Sequence, residues 1–367
     1  MSNHTYWPYD EVSFGLSPET RVLSCKAPWL KIEVAIDDSE FSTISLITEK
    51  FHSQTISGND VALVHSLMDR FQKFPVSYLL PSPKKGNDIH ASTGLLEKCP
   101  GLRQILARAL RDESLTTTVD EVLSFLSREN FEWDAEAALN FASVNGQIHP
   151  ESLFSVARRY HLIDTIQNDK GEAVFSHTES LTPQERKQIV AILVRQNHFV
   201  TSRCQESLLP ALALAQSSRT EVEDFIRAEN GHDRILAMAL KEITDTPELL
   251  PVAPTTICLM NLLKLTASTN FLAFAIAVDF FERSTYQESD PLAQLLVNAG
   301  FEKAAKQIER HREINDVGEH ENVACEFLKP MQLCSADYAL EALRLAETVS
   351  LVMNQVTSSA LAISKLK

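Results

Sequence analysis

The 367-residue sequence predicts a mainly α protein with a C-terminal helical bundle and a smaller α+β/helical N-terminal accessory region. Three observations carry that prediction. Glycine is scarce: the chain has ten, where average usage of about 7% would give roughly 26. Alanine, leucine, glutamate and glutamine fill the space, and all favour helix. From residue 182 onward the apolar residues recur at helical spacing almost without interruption. That stretch opens on a strong start signal. Thr182 stands at the N-cap, Pro183 at the first helical position, and Glu185 completes a capping box. With 44% hydrophobic residues the chain has enough apolar material for a large core, and its length suggests two or three domains.

In chain order, residues 21–35 alternate in short apolar stretches, with Leu30, Ile32 and Val34 on one face, and read as strand. Residues 41–51 and 60–74 have helical spacing, and Pro81, Pro83 and Gly86 mark a loop. Residues 120–127, 134–141 and 152–160 read as short amphipathic helices. The polar, aperiodic stretch after Asp164 reads as a boundary. The expected domains are therefore an accessory region at 1–165, a linker at 166–182 and a bundle at 183–367. Within the bundle the expected helices span 183–216, 219–242, 254–267, 270–286, 289–299, 301–325 and 335–365.

Composition excludes several function classes. A net charge of −15 lacks the basic footprint that nucleic-acid binding needs, and it opposes binding to anionic membranes. Neither GxGxxG nor GxxxxGK[ST] occurs, so nucleotide cradles of those kinds are absent. The six cysteines are scattered without a CxxC pair, which suits reduced thiols in a cytoplasm. The opening residues carry neither a basic nor an apolar signal region. The most apolar window, 254–281, is interrupted by Asn261, Lys264, Asn270 and Asp279, and reads as buried helix rather than membrane span.

Chemistry is carried by acids and imidazoles in the bundle. Helical bundles hold metals with inward carboxylates and histidines at i, i+3 or i+4 spacing. Glu229 and His232 are three apart, so on one helix both reach one ion. Glu282 ends a very apolar helix, where a carboxylate needs a partner. His311, Asp316 and His320 follow on a third helix.

In these three elements the sequence resembles the haem-oxygenase-like diiron oxidases and oxygenases, over residues 183–365. The matching segments are Phe225-Ile-Arg-Ala-Glu-Asn-Gly-His232, Asp279-Phe-Phe-Glu282, and His311 through His320. The resemblance implies a bundle of about seven helices and a pair of Fe(II) ions that activate O2. It makes His232, Glu282, His311, Asp316 and His320 ligands, with Glu229 ligating or adjacent. A further ligand is expected on the preceding helix, where His198 is preferred over Glu206. The implied substrate is a small metabolite, free or bound to a carrier or peptide, with an arginine near the motifs to hold a carboxylate. The N-terminal half lies outside this resemblance and reads first as an accessory region without chemistry of its own, with carrier or peptide binding, or a homodimer interface, as the alternatives.

The third element departs from the family's spacing. Nine residues of ideal helix place His311 and His320 roughly 180° apart. A π-bulge near Asn315–Gly318 would realign them. Alternatively Glu313, Asp316 and His320 form the face, or the site holds one metal or none. Two other functions stay open: a metal-free interaction protein, and a thiaminase-like bundle enzyme using Cys204, Cys258 or Cys325.

Overall fold

The structure is a computed structural model, and it describes residues 13–17, 22–27, 30–35, 42, 81–85, 95, 101–111, 117–128, 131–168, 181–282, 290–317 and 323–364. Of residues 13–35, 167–168 and 316–317 only the backbone is described. The expected helices at 41–51 and 60–74 lie outside the described residues, except for Ser42, which is helical. The chain is mainly α. It divides into two compact units, Met1–Pro81 and Ser82–Lys367.

The first unit contains an antiparallel meander of β1 (Ser13–Ser17), β2 (Val22–Ala27) and β3 (Leu30–Ala35). Cys25 stands opposite Phe14 and Ile32, and Leu23 opposite Leu16 and Val34. The strand reading of 21–35 thus corresponds to two strands, β2 and β3.

The second unit is helical, with two short two-residue strand pairings among the described residues. Strand β4 (Lys84–Lys85) pairs with β5 (Phe131–Glu132), and β6 (Ser143–Val144) with β7 (Gln147–Ile148). Its first helices are α1 (Leu102–Ala109), α2 (Val119–Phe125), α3 (Ala135–Ala142) and α4 (Pro150–Asn168). Helix α2 starts on a capping box of Thr118 and Glu121, and α3 on Asp134, which accepts from the Ala137 amide.

The rest of the unit comprises α5 (Pro183–Leu208), α6 (Arg219–Ala228), α7 (His232–Ile243), α8 (Pro254–Thr269), α9 (Phe271–Glu282), α10 (Pro291–Asn298), α11 (Glu302–Val317), α12 (Val323–Leu328), α13 (Ala336–Met353) and α14 (Val356–Ser364). The predicted capping box at α5 is present: the Glu185 amide donates to Thr182 Oγ1, and the Thr182 amide donates to Glu185 Oε2 at 2.9 Å. Helix α5 packs on α7, α8 and α14, and α7 packs on α11. Ile189, Leu193, Leu236, Leu240, Leu296 and Ile308 form the apolar seam of this side. Helices α8, α9 and α13 pack on one another, and α4 packs on α9 and α13.

Those last contacts place the division elsewhere than the sequence reading did. Helices α1–α4, read as part of an accessory region ending at 165, belong to the same compact unit as the bundle. Buried charge pairs tie them in. Arg128 is fully buried and bridges Asp164 at 3.6 Å and Glu347 on α13 at 2.6 Å. Asp164 also accepts from Trp133 Nε1 and Ser350 Oγ, both at 2.8 Å. Arg158 on α4 forms a two-pronged ion pair with Asp279 on α9. Helix α4 continues to Asn168, so the first part of the expected linker is helical.

Three long predicted helices are broken, the 183–216 stretch passing after Leu208 into 3-10 turns at Leu209–Ala213 and Gln216–Ser218. The 219–242 stretch divides at Glu229–Gly231, where Gly231 has φ +101°. The 335–365 stretch divides at Asn354–Gln355. Among the described residues no helix is long and apolar enough to cross a membrane.

Candidate functional site

A cavity of about 340 Å³ opens inside the second unit, walled by α5, α8, α9, α11 and the α13–α14 junction. Glu229, Glu282, His311 and Cys204 line it together with Asn197, Thr201 and Asn315. Apolar walls come from Phe225, Leu259, Met260, Leu263, Phe280 and Met353, among others. Three of the predicted ligands, drawn from three separate sequence elements, therefore border one space.

The fourth, His232, stands directly behind that lining. Glu229 caps the C-terminus of α6 and His232 opens α7, with Gly231 in left-handed conformation between them. They do not share a helical face, as the i, i+3 spacing suggested. The glycine turn brings them together instead, with Glu229 Oε2 3.2 Å from His232 Nδ1. Both side chains are buried. The His232 ring meets the His311 ring edge to face, with centroids 5.0 Å apart. Two imidazoles sharing one ion through bonds of about 2.1 Å have centroids about 5 Å apart, so the separation is of the right size. Cys204 Sγ donates to Glu229 Oε2 at 3.7 Å. Burial, and then the nearby carboxylates of Glu229 and Glu282, push the Cys204 thiol well above its usual range. It is held as a neutral thiol.

The other predicted residues fall as follows. His198 on α5 contacts Arg195 at 2.9 Å and does not border the cavity. Burial, then Arg195, lowers its pKa. The residues of α5 that do face the cavity are Asn197, Val200, Thr201, Cys204 and Leu208. Their 3–4 spacing was the available signal, and it leaves His198 about 100° off the face. Glu206 is half exposed and bridges Arg203 and Lys264 at 2.7 Å each, on the outer surface. The side chain of Asp316 and the whole of His320 lie outside the described residues.

Helix α11 remains α-helical from Asn315 to Val317, so that part of the expected π-bulge is absent; Gly318 lies outside the described residues. His311 and Asn315, one turn apart, face the cavity. Glu313 points away, into a surface groove with Glu309 and Arg310. The face of α11 that meets the cavity is thus that of His311 rather than that of Glu313. Of the arginines considered for a carboxylate clamp, Arg203, Arg227, Arg234, Arg283 and Arg312, three are engaged elsewhere, Arg203 with Glu206, Arg227 with Asp224 and Arg312 with Glu309, and Arg283 lies outside the described residues.

Among the described residues, no group of three or more His, Cys, Asp or Glu side chains stands ready to hold a metal ion as placed. The donor types nonetheless suit iron: carboxylates and imidazoles with space beside them. Comparison of the chain with known protein families, curated proteins and solved structures found no match.

Proposed function

We propose that this protein is a cytoplasmic nonhaem iron oxidase or oxygenase that acts with O2 on a small metabolite, free or delivered on a carrier or peptide. The observation that carries the reading is the convergence of Glu229, His232, Glu282 and His311 on one internal cavity. They come from three separate segments of the chain, Glu229–His232, Glu282 and His311, with His232 standing behind the lining, and a site gives them a common reason to meet. Glu229, His232 and His311 would hold one ion, and Glu282, with Asp316 and His320, a second. Bound Fe(II) supplies the one-electron chemistry with O2. The chain's own part is positional. Gly231 sets Glu229 against His232, Phe225 and Phe280 exclude water, and the Cys204 thiol holds Glu229 by its hydrogen bond.

The test is anaerobic Fe(II) titration of the full chain with metal counted per protein, followed by admission of O2 and recording of the visible spectrum. The reading expects one to two irons per chain and an O2-dependent spectral change. No bound iron in the presence of excess Fe(II) sinks it.

A second reading has its own observation. Cys204 and Glu229 form a thiol–carboxylate pair at a cavity wall, which is the pairing a thiaminase-like bundle enzyme would need. Glu229 would accept the thiol proton as Sγ bonds to an electrophilic carbon, then return it to the departing group. That reading expects no iron, and covalent labelling of Cys204 that is lost in Glu229→Gln.

A further inference from the structure

Several of the cavity's polar side chains are arranged as acceptors. Thr201 turns its hydroxyl hydrogen back onto the Asn197 and His198 carbonyls of its own helix, at 3.2 Å each. Its oxygen lone pairs are left for the cavity that it lines. Asn197 likewise donates from its amide to the Leu193 carbonyl at 3.2 Å. Cys204 spends its S–H on Glu229. Asn315 on α11 also lines the space, and its Oδ1 is buried with no hydrogen-bond partner. Glu229 and Glu282 add carboxylate oxygens, and no lysine or arginine lines the cavity among the described residues. A buried acceptor with no donor costs about 1–3 kcal/mol, so the lining favours an occupant that brings N–H groups.

The rest of the lining sets the remainder of that occupant. Leu259, Met260, Leu263, Val278 and Met353 make an aliphatic wall, and the Phe225, Phe280 and Phe281 rings border it. Ring faces attract a cation that has left water. At about 30 Å³ per packed heavy atom, the share of a water molecule in liquid, the volume admits a ligand of about eleven non-hydrogen atoms.

We infer that the cavity binds a primary amine on a medium-length apolar chain, with the ammonium among Asn197, Thr201 and Asn315 and the chain along the Leu259–Leu263 wall. This names the substrate class of the proposed active site and so rests on that assignment of the cavity. It departs from the expectation of a carboxylate held by arginine. The acceptors that fix the head group are uncharged, so the preference does not depend on whether iron occupies the carboxylates.

The test uses the full chain freed of metal with EDTA, so that its outcome is separate from the Fe(II) titration. Octylamine, octanol and octanoate are titrated at neutral pH by calorimetry into wild type, Thr201→Val and Asn315→Leu. Octylamine should bind at least about tenfold more tightly than octanol, as charge-assisted bonds exceed neutral ones, and octanoate should bind weakest. Each substitution should reduce the amine's advantage several-fold while leaving octanol affinity near wild type, which also reports an intact cavity. Octanoate binding as tightly as octylamine overturns the inference. So does an amine preference that survives both substitutions, or binding by none of the three. Iron binding alongside any of those results would leave the iron reading standing without this substrate class; amine binding without iron would do the reverse.

Discussion

Two regions of the second unit bury charge, and they do so in opposite ways. At the interface of α4 with α9 and α13, each buried carboxylate meets an arginine: Asp164 and Glu347 meet Arg128, and Asp279 meets Arg158. Arg128 is fully buried, and Asp164 takes two further hydrogen bonds, from Trp133 and Ser350. Around the cavity, Glu229 and Glu282 instead gather with imidazoles, a thiol and amide oxygens, beside about 340 Å³ of space. The first region is closed upon itself and serves folding. The second gathers donors for a cation around a space, which a folding role alone does not require. Buried charge is therefore informative about function through what it is paired with and whether space remains beside it.

The contrast can be broken from the folding side first. Arg128→Met removes the cation from two carboxylates at once. It should cost about 3–5 kcal/mol, the usual penalty for stripping one partner from a buried pair, seen as a lower urea midpoint with unchanged slope. Fe(II) affinity in the surviving folded protein should stay at the wild-type value. A loss of iron binding without loss of stability would merge the two regions.

A smaller effect is expected at Gly231. A Cβ there meets nothing within 4 Å, so the cost is conformational alone. Gly231→Ala should cost about 1–2 kcal/mol, because φ +101° lies in the left-handed region. Since the turn joins Glu229 to His232, Fe(II) affinity should fall as well. A variant destabilised to that extent with wild-type iron affinity would detach the turn from the site.

The smallest effect concerns His198. Its pKa is lowered mainly by burial and then by Arg195. A group depressed on folding contributes stability that is present above the unfolded value, about 6.5, and lost as pH falls through it toward the folded value. His198→Gln should remove part of the stability loss below about pH 6.5, with iron affinity unchanged. An iron affinity that drops would restore His198 as a ligand.

Local pattern made much of this legible, and its failures have physical causes. The capping box at Thr182 and the apolar run ending in Glu282 were both readable, because each is contained within a few consecutive residues. The Glu229–His232 pair was readable as a pair, but as one helix. The turn that unites it depends on Gly231 adopting positive φ, and Glu229-Asn-Gly-His232 is the C-cap signal that the helical reading passed over. His198 was chosen by residue type, whereas the cavity-facing positions of α5 follow from the 197, 201, 204, 208 spacing. The unit boundary was hidden because the Arg128–Glu347 bond joins residues 219 positions apart, and no local window contains both.

The central claim is that His232 and His311 serve one ion, and a double-mutant cycle tests it most directly. Fe(II) affinity is measured for wild type, His232→Ala, His311→Ala and the double variant. If both imidazoles hold the same ion, each single substitution weakens binding by at least about 100-fold. The double then costs clearly less than the sum, because the second loss falls on a site already broken. Strict additivity, or single variants that bind iron like the wild type, would contradict the account.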